Sequence, residues 1–171
     1  MNCWNECVRF HGHSCPGLAI GYRIAMAALD YFKKDMTLNT DEDIVCVCEN
    51  DSCAVDAVQW LNNCTVGKGN LLFHVTGKMA FNFYSRKSSK SVRILPKPSK
   101  PDLPREEKID WLLHAPAEEI LEFKPVLHPV PKRAQNFPGV TCERCQETAA
   151  ENHMHLQNGQ IVCEDCFESY S

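Results

Sequence analysis

The chain has 171 residues, 44% of them hydrophobic, and a formal net charge of −4. That length suits one core domain, or a domain plus a small module, and the near-balanced charge gives no general case for a nucleic-acid or membrane partner. No run of about 18 apolar residues is present, which excludes a membrane-spanning helix, and "MNCWNECVRF" lacks an export-signal pattern, so a cytoplasmic location is expected.

Along the chain, "FHGHSCPG" at 10–17 places His11, His13 and Cys15 at alternate positions directly ahead of Pro16. Proline fits the first position of a helix, so a helix is predicted over 16–34, with Cys15 as its N-cap. It is apolar except for a stripe through Arg23, Asp30 and Lys33/Lys34, as expected of a helix buried on most sides. Such girth gives a weak argument for a second copy of the chain as cover. Gly17 and Gly21 lie four apart on one face, which would let another backbone come close. "DIVCVC" at 43–48 reads as a strand, and "NDSCAVDAVQWL" opens a second helix, capped by Asp51 or Ser52. Three strand-like runs follow, "LLFHV", "KMAFNFY" and "SVRIL". Met79, Phe81 and Phe83 alternate, as in a half-buried strand, and the simplest arrangement is a meander packed on helices. "GKG" at 67–69 lacks the phosphate-loop spacing and reads as a tight turn. The basic run from Arg86 to Lys100 reads as a solvated hairpin turn and linker, the one patch that favours nucleic acid.

Nine of the ten prolines fall between 96 and 138. "PREEKIDWLLHA" is a helix candidate with acids in its first turn, "PAEEILEF" is another, and the segment from 124 to 139 reads as a semi-rigid linker. The expected fold is therefore α+β, with helices packed on a mostly antiparallel sheet over 1–123. A small C-terminal zinc ribbon occupies 140–171.

Eleven cysteines in a chain without an export signal point to metal ligands or reactive thiols rather than disulfides. Cys142 and Cys145, then Cys163 and Cys166, form two Cys-x2-Cys knuckles seventeen residues apart. This is the spacing of a four-cysteine zinc site, and Asn158-Gly159 between them is a hairpin signal that returns the second knuckle to the first. So small a module has no room for a sufficient hydrophobic core, so the metal would supply its folding energy. Four thiolates leave no open position, so this zinc is structural. His153 and His155 read as strand-surface residues.

A thiol at a helix N-cap faces unpaired amides and the positive end of the helix dipole, which favours thiolate. Cys53 holds a similar place at the second helix. If the two helix starts meet, His11, His13, Cys15 and Cys53 converge, with Cys64 nearby. Imidazole and thiolate together suit zinc or another transition metal; the other readings are a structural turn with buried thiols, or a thiol nucleophile.

Three motifs, "FHGHSCPGLAIGYR" at 10–23, "ENDSCAVDAVQ" at 49–59 and "CTVGKGNL" at 64–71, resemble the E-subunit family of formylmethanofuran dehydrogenase. His11, His13 and Cys15 match the first motif, Cys53 and Asp56 the second, and Cys64, Lys68 and Asn70 the third. Asn63 stands where relatives often have glycine, a position that asparagine also tolerates in the left-handed conformation. The resemblance implies an α+β core that forms intertwined homodimers, a metal near the His–Cys motif, and association with a molybdenum or tungsten enzyme of one-carbon metabolism. Some relatives carry a C-terminal zinc module.

Three functions follow. The first is a metal-binding accessory or sensor protein whose ribbon contacts a metalloenzyme partner. The second is an enzyme with Cys15 or Cys53 as nucleophile and His13 as base. The third is a nucleic-acid-binding regulator, the weakest, because the segment from Cys142 to Cys166 carries one arginine against five acids.

Overall fold

The computed structural model describes residues 3–33, 42–98 and 102–169. The chain divides into two compact units, Met1–Arg133 and Ala134–Ser171.

The first unit begins with α1 (Cys3–His11), an element that the sequence did not announce, and α2 (Pro16–Tyr31). Cys15 is the N-cap of α2, in an extended conformation, and its sulfur accepts the Leu18 amide at 3.2 Å. The helix expected over 16–34 ends at Tyr31, and Lys34 lies outside the described residues. Strand β1 (Ile44–Cys48) leads to α3 (Ala54–Asn62). The helical cap falls at Cys53 rather than at Asp51 or Ser52. Asn50 and Ser52 instead build the preceding turn, where the Asn50 carboxamide oxygen accepts the Ser52 hydroxyl at 2.7 Å. Asn63 ends α3 in the left-handed conformation, φ 54°.

Strands β2 (Leu71–Phe73), β3 (Phe81–Ser85), β4 (Ser91–Pro96) and β5 (Leu121–Lys124) complete a sheet of order β2-β1-β3-β4-β5. All pairings are antiparallel except β1 with β2. The simple meander is thus corrected. Helix α3 carries the chain from β1 back to a parallel neighbour, as a parallel pair requires a crossover. "PAEEILEF" splits into a single helical turn, α5 (Ala117–Ile120), and β5, after α4 (Arg105–His114).

One face of the sheet packs its apolar residues, Cys46, Cys48, Phe81, Phe83 and Ile94, against Ile24, Ala28 and Val58 of α2 and α3. The other face is also covered. Tyr84 donates to the His128 carbonyl at 3.1 Å, and Arg86 donates to the Lys132 carbonyl at 2.9 Å. The first part of the expected linker is thus held against the sheet. This is why β3 is buried along its whole length rather than half-buried.

The run Arg86 to Lys100 is not a uniformly solvated turn. Arg93 is 6% exposed and pairs with Glu49 through both carboxylate oxygens, at 2.6 and 2.8 Å. Lys100 lies outside the described residues.

Most of the apolar girth of α2 is covered within its own chain, by α3, α4 and β4, while Met26 and Tyr31 stay exposed. Arg23 reaches from α2 to the Leu112 and Ala115 carbonyls, both at 2.7 Å, and satisfies the end of α4. Gly21 is the point of closest approach to α3. A Cβ there would lie 2.4 Å from the Ala54 oxygen and 2.5 Å from the Ala54 Cα. Backbone on both sides leaves no flexible group to yield. Gly21→Ala is therefore expected to lose stability at the upper end of the overpacking range, about 3 kcal/mol, read as a lowered urea midpoint.

The second unit contains β6 (Gly139–Thr141), β7 (Thr148–Ala150), β8 (Met154–Gln157) and β9 (Gln160–Cys163) in two hairpins. Asn158 and Gly159 both have positive φ, 52° and 79°, as a two-residue hairpin turn demands. Its apolar centre is small, Val162 with Cys142 and Cys163. Among the described residues, no helix is long and apolar enough to cross a membrane.

Candidate metal sites

Four ligand atoms, from His11, His13, Cys15 and Cys53, lie within 4.8 Å of one another. Each is placed by a local feature. His11 ends α1, and Gly12, φ 94°, makes the reversal that a side chain would disfavour. Cys15 caps α2, and Cys53 caps α3. The two helix starts meet because α2 presents glycine there. A Cβ on Gly17 would already lie 3.4 Å from the Cys53 Cβ.

Whether this donor set fits a metal is decided at His11. Its Nδ1–H donates to Asp56 Oδ2 at 2.7 Å, and its Nε2 is buried with no hydrogen-bond partner. An unpaired buried nitrogen is costly, and here it belongs to a cluster with another imidazole and two thiols. A carboxylate that holds one ring nitrogen, so that the other is free as a donor, is the usual arrangement behind a metal-bound histidine. Asp56 is itself steadied by Gln59, whose amide donates to Oδ1 at 3.2 Å. The His13 ring, more exposed, lies 4.4 Å from that of His11. Burial, then the neighbouring Cys15 thiol, pushes the Cys53 thiol up in the absence of a cation. The four residues fit a soft or borderline transition metal.

Cys64 is not part of this group. It is fully buried in the main core, with its sulfur directed to the Ile44 and Asn62 carbonyls at 3.7 and 3.6 Å. Burial pushes its thiol up to about 12. It follows the C-cap of α3, at the end of the helix opposite to Cys53, so its expected proximity is corrected. Cys7, which the sequence did not single out, packs beneath the site with Cys15, Leu18 and Ala57. Its thiol is pushed up to about 11 by burial and the charge of Asp56. Asp56 is the site residue that sequence reasoning left without a role. Its signal was its place one turn after Cys53, on the face of α3 that meets α1.

The carboxylate–histidine contact leads to a direct prediction. Asp56→Asn should weaken metal binding at the His/Cys cluster by about 10- to 100-fold, measured by chelator competition, with the four-cysteine cluster unchanged.

In the second unit, Cys142, Cys145, Cys163 and Cys166 also bring their sulfurs within 4.8 Å of one another. Cys142 is fully buried, yet backbone amides, that of Cys145 foremost, draw its thiol down to about 6. The Cys163 amide donates to it at 3.3 Å. Desolvation, then the neighbouring sulfurs, push Cys166 up to about 12. A divalent cation removes that mutual opposition, which is the fit expected of a closed four-thiolate site. His155 is outside the cluster, stacked on Phe167 and bonded to Glu164 at 2.6 Å.

The sequence is 30% identical over 193 residues to a probable S-adenosyl-L-methionine-binding protein of Archaeoglobus fulgidus, covering 94% of this chain and 51% of that one. The chain thus spans about half the length of this curated relative. The fold is similar to the crystal structure of a tungsten formylmethanofuran dehydrogenase FmdE-like protein from Syntrophus aciditrophicus. The TM-score is 0.63 and the identity 25%, over 95% of this chain and 91% of the other. Residues 10–124 match the family model described as FmdE, molybdenum formylmethanofuran dehydrogenase operon. That match spans the His/Cys cluster and all five strands of the main sheet, and the chain belongs to the FmdE family.

Proposed function

We propose that the protein is a metal-binding accessory or sensor protein serving a molybdenum or tungsten enzyme of the formylmethanofuran dehydrogenase type. In this reading, zinc holds the four-cysteine module together, and zinc or another transition metal is held by His11, His13, Cys15 and Cys53. The single observation that carries it is the buried, unpartnered Nε2 of His11, fixed by Asp56 and grouped with a second imidazole and two thiols. A metal there supplies the positive charge that keeps Cys15 and Cys53 as thiolates. Asp56 orients His11, and the Leu18 amide steadies the Cys15 sulfur. A homodimer, contact with the metalloenzyme through the four-cysteine module, and a cytoplasmic setting belong to the same proposal, supported by the family membership.

Elemental analysis of the full chain tests the metal content. Two ions per chain are expected, one lost in Cys142→Ser and the other in Cys15→Ser. Full metal content in Cys15→Ser would remove the core site from the reading. Sedimentation at micromolar concentration tests the dimer, and a monomer there would remove it. Nucleic-acid binding with a steep salt dependence would move the function to a regulator.

A further inference from the structure

A cavity of about 1040 Å³ opens in the first unit between the start of α2, the end of β4 and the α4–α5 segment. It is large enough for a cofactor-sized molecule. Ile20, Met79, Leu112 and Ile120 give it an apolar wall, and the half-buried indole of Trp111 gives it an aromatic surface. Such walls take an apolar or planar body, by burial and by stacking.

The charged groups around it are not equivalent. Glu118 and Glu119 are exposed, where water solvates their carboxylates. Lys97 is used within the fold, its ammonium donating to the Glu118 carbonyl. Lys108 is half-buried, lines the cavity, and has no side-chain hydrogen bond or ion pair among the described residues. An ammonium without a partner beside these apolar walls is the group in this cavity that a ligand would complete, and its complement is an anion.

The cavity also adjoins the His/Cys cluster. Pro16 and Gly17, the two residues after Cys15, line it. At Gly17 a Cβ would lie 3.8 Å from the Cys15 sulfur, so a single glycine separates the two spaces.

We infer that this cavity binds a small organic anion with an aromatic or apolar body, seated on Trp111 with its anionic group at Lys108, beside the metal cluster. The binding itself stands on the cavity; the relation to a metal rests on the function proposed above.

The test uses the full chain and two probes of matched body, the fluorescent anion 1-anilinonaphthalene-8-sulfonate and uncharged N-phenyl-1-naphthylamine. Saturable binding of the sulfonate at one site per chain is expected. Lys108→Gln should weaken the sulfonate about tenfold and leave the uncharged probe unaffected, while Trp111→Ala should weaken both. Met79→Trp should crowd the apolar wall and weaken both, and each variant is admitted only with a wild-type melting transition. If Met79→Trp does not fold, the other two variants decide.

Absence of saturable binding, or a sulfonate affinity untouched by Lys108→Gln, overturns the inference. So does an affinity that falls as protein concentration rises, because a second copy then fills the cavity. With cobalt(II) in the core site, the probe should shift the metal's visible bands; bands that stay unchanged at saturation overturn the adjacency. If cobalt is not taken up, the metal reading fails, and the probe titrations still decide the cavity.

Discussion

Cys142→Ser is expected to unfold the second unit as a whole while leaving the first intact. Among the described residues, the second unit offers only Val162, Cys142 and Cys163 as a buried centre. Its two hairpins hold no common sheet, and through the backbone the Glu143 amide donates to the Ile161 carbonyl at 2.9 Å, too little pairing to hold them together. A metal bound by four cysteines is then the principal long-range bond. Apparent binding energies of structural zinc in modules of this size are about 10–16 kcal/mol, as large as the whole net stability of a typical domain. Serine at Cys142 removes the buried sulfur that both knuckles approach, through the amides of Cys145 and Cys163. Amide hydrogen exchange should show loss of protection across β6 to β9 and unchanged protection in α2, α3 and β3. The first unit has its own core, built around Ile24, Phe81 and Phe83. Retained protection in β8 and β9 with the metal released would show that the module folds without its ion.

How much of this was legible in the sequence follows from how local each signal was. The four-cysteine module lies in one short segment, and its spacing and Asn158-Gly159 turn are local facts. The His/Cys cluster was half-local. His11, His13 and Cys15 are neighbours in sequence, but the approach of Cys53 depended on Gly17 and Gly21 admitting α3. Asp56 was harder. Its partner, His11, lies on another helix, and only the packing of α1 on α3 joins them. Cys64 was misplaced because its position relative to Cys53 depends on the length of α3, which puts them at opposite ends. Helix α1 was missed because "CWNECVRFH" buries only Cys7, too little for a periodic apolar stripe. Strand β5 was hidden in "PAEEILEF", whose first half is helical and whose second half pairs with β4. The basic run misled at Arg93, because charge along the sequence suggests solvent. The register of β3 against β4 sets Arg93 opposite Asn82, and both reach Glu49.

That last group carries the second large effect. Glu49 directly follows β1 and sits 4% exposed. Arg93 grips both of its oxygens, Asn82 donates to Oε1 at 2.9 Å, and its carbonyl accepts the Thr76 and Gly77 amides at 2.9 and 3.1 Å. The next residue, Asn50, forms the turn that leads to Cys53. Arg93→Met keeps most of the side-chain volume but leaves a buried carboxylate without its cation. The expected loss is about 3–5 kcal/mol, whereas replacing both partners by apolar residues should cost much less. The pH dependence identifies the cause. The hydrogen bond from Arg93, with that from Asn82, holds the Glu49 carboxyl at about 2, against an ordinary 4.5. A depressed folded-state value adds stability above the unfolded value, and that stability is lost as pH falls from about 4.5 toward 2. In Arg93→Met, burial without the cation raises the carboxyl instead, so the variant is penalised at neutral pH and relieved on protonation. The gap in urea midpoint between wild type and variant should therefore be widest near pH 7, narrow as pH falls through the variant's raised carboxyl value, and narrow further from about 4.5 toward 2. A gap that stays constant down to pH 3 would mean that Arg93 acts through packing alone. A narrowing gap, with weakened metal binding at the His/Cys cluster in Arg93→Met, would tie the ion pair to the turn that presents Cys53.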